Sequence, residues 1–383
     1  MSERDERSGR LDRRQALRLL GVGAGVSAGV AGLRWPDGSF WEASAQRAPP
    51  IAPRGAILRT VLSDLDPATL TGPTLMHEHL GTGRPGRGGA ATDPTQDAAW
   101  MTEELQGARA AGLACIVSAQ TNLPNAATLE YYAQLSRATG VHIIPAGAPY
   151  FTQTYPADYA TKSEDEIADS LVTTARAVRL GAFGELGVNN DTADLDASEK
   201  KVFRAIGKAQ ARTGIPVFTH TNYSTGPKVS MDMGLRQLDL LIAAGASPQS
   251  IAIGHLCCLD DPMVKIHTQI AKGGAFIAFD RVTRQQQWVS DEHRIVMLKA
   301  LLDAGLVDQL LISSDYIGRI NTSVGEVNMY EGPLHARDKG PGYARPLVLF
   351  VPRLRKAGIS EQVIQKLTVD NPRRFLAFVP KQG

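Results

Sequence analysis

Cysteine is scarce in this 383-residue chain, which carries only Cys115, Cys257 and Cys258. None stands in a C-x-x-C spacing, and the adjacent pair could bridge only under strain. No disulfide framework is therefore expected, and all three read as core residues. Lysine- or arginine-rich blocks interleaved with aromatics are missing downstream of the N-terminus. With a formal net charge of only +2, a nucleic-acid partner has no support. The most apolar stretch near the N-terminus, Leu19 to Leu33, is too short and too rich in glycine for a comfortable membrane span.

That stretch has another reading. Arg13-Arg14 in "DRRQALR" precede it, and "ASA" at residues 43–45 offers an A-x-A cleavage site. The arrangement resembles a twin-arginine export signal, with Ala16 where a bulkier residue is more usual. Residues 1–45 would be the signal, 46–54 a linker and 55–383 the mature fold, exported to the periplasm or beyond. No stable membrane span would remain after signal removal. An amphipathic or membrane-anchoring N-terminus is the alternative. Export of an already folded chain suits a protein that takes up a cofactor before crossing.

What the chain does contain is repetition. A hydrophobic content of 43% is enough for a sizeable core. Short apolar runs recur from about residue 55: "GPTLMHEHL", "LACIVSAQT", "HIIPAGAPY", "AFGELGV", "IPVFTHT", "SIAIGHL", "AFIAFDR" and "QLLISSDY". Amphipathic stretches such as "ASEKKVFRAIGKAQARTG" lie between them, several ending in glycine as helices often do. Nearly continuous apolar runs, each followed by a helix, predict parallel strands covered on their outer faces. Eight such units predict an α/β fold, a (β/α)8 TIM barrel in one domain, with a doubly wound open sheet as the competitor.

The polar residues of these runs gather at their C-terminal ends, where a barrel of this kind carries its active site. His77 and His79 close the first run, Glu185 the fourth, His220 the fifth and His255 the sixth. Asp280 and Arg281 close the seventh, and Asp315 the eighth. His77 and His79 are two apart, so on a regular strand both face the same way. "HEHL" is not the H-E-x-x-H helix motif, because its second histidine comes too early. Imidazole and carboxylate together suit zinc and similar divalent ions. Six such ligands exceed one tetrahedral ion, whereas two ions sharing a bridging carboxylate could acidify a water between them and polarise a substrate oxygen.

"GPTLMHEHL", "GELGV", "PVFTHT", "IAIGHL" and "ISSDY", in this order and spacing, resemble the phosphotriesterase family of the amidohydrolase superfamily. The resemblance runs from about residue 55 to "DNPRRFLAF". It implies a binuclear metal centre, usually zinc, that hydrolyses an ester-like bond of a small-molecule substrate. His77, His79 and Asp315 would hold the more buried ion, and His220 and His255 the more exposed one, with a fourth-strand residue bridging both. The best-known members place a carboxylated lysine on that strand, but "LGAFGELGVNN" has no lysine. Glu185 is the substitute, as in the branch called phosphotriesterase homology proteins. Because Glu185 falls one step beyond the lysine position, bridging requires a local irregularity in the strand; a merely structural Glu185 is the alternative.

Asp315 is also expected to be catalytic, taking a proton from the attacking water. "FDR" resembles the lactonase pattern, so Arg281 is expected to bind a substrate oxygen or carboxylate, with a surface ion pair as its bland reading. Asp280 is expected to orient a neighbouring group such as a metal-bound histidine. Tyr150, at the end of the third run, is a substrate contact or a core residue. Loops carrying Trp288, Arg319 and His335 would shape specificity, while His142, His267 and His293 read as structural or surface residues. The expected activity is hydrolysis of a carboxylic ester or lactone, with phosphotriester turnover as weak side activity. An N-acyl amide hydrolase and an exported metal- or ligand-binding protein without catalysis are the alternatives. A homodimer is implied by the resemblance alone.

Overall fold

The computed structural model describes residues 52–81, 98–189, 192–223, 229–283, 289–317 and 333–381. The expected export signal, most of the linker, Trp288 and Arg319 lie outside these described residues.

Each of the eight apolar runs contains a strand: β1 Thr74–Glu78, β2 Cys115–Ser118, β3 His142–Pro145, β4 Phe183–Gly187, β5 Val217–His220, β6 Ile251–Ile253, β7 Phe276–Phe279 and β8 Leu310–Ile312. Helices follow in strict alternation: α1 Ala98–Ala110, α2 Ala126–Thr139, α3 Glu164–Ala177, α4 Ala197–Thr213, α5 Met233–Ala243, α6 Lys265–Lys272 and α7 Asp291–Asp303. The eighth helical segment runs from Pro346 into α8, Val351–Lys356. Local chemistry sets their ends. Asn125 caps α2 through its side chain, while Ser163 and Asp196 open α3 and α4 with reciprocal capping boxes to Glu166 and Glu199. Gly140 and Gly214 end α2 and α4 at φ 70° and 77°, a left-handed conformation that glycine adopts without penalty.

All neighbouring barrel strands pair in parallel. β1-β2-β3 form one ladder and β8-β7-β6-β5-β4 another. A bridge between Ala146 and Ala182 joins β3 to β4, and one between His79 and Ile317 joins β8 to β1, so the ring closes. Helical faces pack outside against Ile251, Ile253, Ile277 and Phe279, while Met76, Phe218, Ala252, Ala278 and Leu311 fill the interior. The architecture is the (β/α)8 barrel expected from the runs.

Two strands break the simple alternation, and both breaks matter for the site. On β1, Leu75 pairs with Ile116 but Glu78 with Ser118, three steps against two. On β4, Phe183 pairs with Val217 but Leu186 with Thr219. Each slip is a bulge, which re-aims the side chains beside it. The Gly184–Glu185 peptide inside the second slip is cis.

Candidate active site

The slips bring the polar residues of β1 and β4 inward. Met76 packs in the barrel interior, yet the next residue, His77, also faces in and lies over the Phe218 ring at 5.1 Å. Phe183 and Leu186 pack towards the helices, and Glu185 between them turns into the mouth beside four imidazoles. The irregularity that a bridging Glu185 requires is therefore present. His255 is turned by another device. It shares the parity of the outward-facing Ile251 and Ile253, but its backbone is left-handed at φ 59°. Asp315 is left-handed too, at φ 51°. Such backbone in non-glycine residues costs ~1–3 kcal/mol each and persists where the surroundings impose it, commonly at functional sites.

All six sequence-derived ligand candidates meet. Glu185 Oε2 lies 2.8 Å from His220 Nδ1, 3.4 Å from His77 Nε2 and 3.8 Å from His255 Nε2, while Oε1 lies 3.6 Å from His79 Nε2. Asp315 Oδ1 is 2.8 Å from His79 Nε2 and 3.7 Å from His77 Nε2. Two groups have donor atoms close enough to share an ion: His77, Glu185 and His255, and His77, His79 and Asp315. Residue exposure does not divide the histidines as the resemblance implies, since His77 and His255 are both at 0% while His79 and His220 are both at 4%.

The donor set passes a physical test for cation binding. Three imidazoles have their Nδ1 facing an acceptor: His77 at 2.8 Å and His255 at 3.0 Å from Asp280, and His79 at 3.0 Å from the Ala119 carbonyl. Carboxylate and carbonyl oxygens only accept, so each Nδ1 donates and each Nε2 is directed into the centre, where a bound cation would take its lone pair. His77 Nε2 is buried there without a hydrogen bond. Burial opposes charge on His77, yet the Asp280 and Glu185 carboxylates raise its pKa well above the usual histidine value. Burial likewise pushes Glu185 up, but its close contact with His220 and the neighbouring His255 and His77 imidazoles hold its carboxyl well below the usual range. A centre this rich in negative charge favours a cation.

The supporting residues fall where chemistry needs them. Asp280 is fully buried, and its Oδ1 also takes the His255 backbone N–H at 2.8 Å, in keeping with its expected orienting role. Arg281 donates from Nε to Asp315 Oδ2 at 2.7 Å, so the structure places it on the candidate catalytic carboxylate and buries it; it is not part of a surface ion pair. Tyr150 packs edge-on to His220, its hydroxyl 3.1 Å from that ring's nitrogens. His267 is buried and holds the Leu256 carbonyl, steadying the chain after His255. His335 sits away from the metal candidates, against Trp100 and the Tyr316 hydroxyl. All three cysteines are free, as expected. Glu78 was not singled out from the sequence, though it is wholly buried and accepts from four donors, the Ser313 hydroxyl, the Ser314 hydroxyl and amide and the Tyr316 amide. Its only sequence signal was a charge between two inward histidines.

Barrel and site together define a metal-dependent hydrolase. The chain belongs to the phosphotriesterase family, whose model matches residues 56–376; the family is binuclear and metal-dependent. It is 29% identical over 311 residues to the phosphotriesterase homology protein of Escherichia coli K12, covering 80% of this chain and 98% of that one. It is 24% identical to an N-acetyltaurine hydrolase of Xenopus tropicalis, covering 84% and 98% of the two chains. Among solved structures, the organophosphorus hydrolase of Deinococcus radiodurans superposes with a TM-score of 0.69 at 29% identity, over 86% of this chain and all of that one.

Proposed function

We propose that the protein hydrolyses a carboxylic ester or lactone of a small-molecule substrate at a pair of divalent cations, zinc by the chemistry of the donors. The observation that carries this reading is the meeting of Glu185 with four imidazoles and, beside them, Asp315. His77, His79 and Asp315 would hold one cation and His220 and His255 the other, with Glu185 between. Bound there, the cations supply Lewis acidity and an activated water. The chain's own residues do the rest. Asp280 fixes the tautomers of His77 and His255, keeping their Nε2 lone pairs inward. Asp315 accepts the proton of the attacking water, and Arg281 keeps that carboxylate turned into the centre. Tyr150, leaning on His220, lies where it could touch substrate beside that ligand.

An N-acyl amide is the second reading, favoured by Glu185 in place of a lysine and by the similarity to N-acetyltaurine hydrolases. Mass-spectrometric product detection on lactones, simple esters, N-acyl amino acids and a phosphotriester, each with and without chelator, separates the readings. Chelator-sensitive turnover confined to the amides would replace the ester proposal. Asp315→Asn distinguishes an enzyme from a binding protein: kcat should fall by ~10²–10⁴, and unchanged turnover would remove Asp315 from catalysis. We also propose twin-arginine export, which the Arg13-Arg14 run supports. Retention of an Arg13→Lys, Arg14→Lys double variant in the cytoplasm checks it. The family resemblance supports a homodimer, which sedimentation of the mature chain would test.

A further inference from the structure

Glu78 stands between the two histidines of β1, and no step above uses it. On that strand it points away from the mouth, is fully buried, and has five donor contacts around its carboxylate. Oε1 accepts from Ser313 Oγ at 2.7 Å, Ser314 N at 2.7 Å and Ser314 Oγ at 2.9 Å. Oε2 accepts from Ser314 Oγ at 2.9 Å and Tyr316 N at 2.7 Å. The two backbone donors, Ser314 and Tyr316, flank Asp315. Amides on either side of a left-handed residue converge on one point and form a small anion-binding concavity. Asp315 is that left-handed residue.

The amides within the concavity do not serve the β-ladder, and Asp315 N is satisfied separately by the His77 carbonyl at 3.1 Å. His79 N donates to the Tyr316 carbonyl at 2.9 Å, and Ser313 Oγ accepts from His77 N at 3.0 Å. Without an acceptor at the Glu78 position, two buried amides would be orphaned, which costs free energy. The strained backbone of Asp315 would lose what holds it.

We propose that Glu78 is a positioning residue of the metal centre: seated in the concavity formed by Ser314 and Tyr316, its carboxylate fixes the backbone turn that delivers Asp315 to His77 and His79. Glu78 touches neither substrate nor cation and acts through Asp315. The inference rests on the metal-centre reading proposed above.

Cobalt(II) titration of the full mature chain tests it, followed by visible absorption and by competition with a chelating dye, alongside thermal unfolding. The parent should take up two cobalt ions; failure to bind any would defeat the metal-centre reading itself. Glu78→Gln presents an NH2 to donors that need an acceptor. It should bind one of the two ions ~10–100-fold more weakly, with an altered cobalt spectrum, while the other ion's affinity changes little. Parental affinities and spectrum in folded Glu78→Gln would overturn the proposal. If that variant does not fold, Glu78→Asp decides. It keeps the charge but draws the carboxylate back by one methylene from both amides, so a selective loss at one ion supports the proposal and unchanged binding of both overturns it.

Discussion

At the scale of single residues, the site depends on groups whose position matters more than their type. Asp280 shows this most directly. One carboxylate orients His77 and His255 and also takes the His255 amide, so two ligand candidates from different parts of the rim share one support. Glu104 on α1 shows a different use of burial. Its Oε1 accepts from Ala336 N at 2.8 Å, while Oε2 is buried without a hydrogen bond, a position suited to a neutral carboxyl. Burial pushes its pKa up to about 8. An unfolded glutamate releases its proton near ~4.3. Between these values the folded state holds the extra proton, so stability falls as pH rises through the window and levels off above it. Glu104→Gln removes this fall. It should be at least ~1.4 kcal/mol more stable than the parent at pH 8.5, with the gap closing towards pH 4.5. Urea unfolding at several pH values, at one fixed cation concentration, would expose an equal gap throughout if the assignment were wrong.

At the scale of elements, short breaks in regular structure aim the ligands. The β4 slip turns Glu185 inward, and it is possible because Gly184 lies directly against the Phe218 ring: an added Cβ there would come within 2.2 Å of it. Phe218 in turn contacts His77. Gly184→Ala should therefore cost ~1–3 kcal/mol by overpacking and also weaken cation binding, since the displaced ring lies against His77. Loss of stability with untouched cation affinity would show that the ring moves elsewhere. Element order and the six ligand candidates were legible in the sequence, because apolar runs and their polar ends are local patterns. The slip at Glu185 could be inferred as a requirement, since alternation alone turned it the wrong way. The turn at His255 could not, because nothing local distinguishes a left-handed histidine. Nor could the partners of Glu78 and Arg281, which are tertiary neighbours with no periodicity to announce them: Glu78 finds Ser314 236 positions away.

At the scale of the whole molecule, cations and fold stabilise each other. The ligand candidates come from five strands around the ring, so the folded barrel would bind ions that the unfolded chain binds poorly. Saturation at one hundred times the dissociation constant adds ~2.7 kcal/mol per ion. Chelation should lower the midpoint of thermal unfolding by several degrees, and restored zinc should return it; an unmoved midpoint would mean that no cation is held by the native state. The same geometry has a consequence for synthesis. His79 and Asp315 meet at the seam where the last strand closes on the first, 236 residues apart along the chain. A polypeptide still emerging from the ribosome has His79 long before it has Asp315, and any chain cut short before β8 lacks that carboxylate altogether. Occupancy of the position that needs Asp315 would thus report that translation has finished and that both ends of the barrel have found each other, so a cell that checks for that ion would also check for both closing strands.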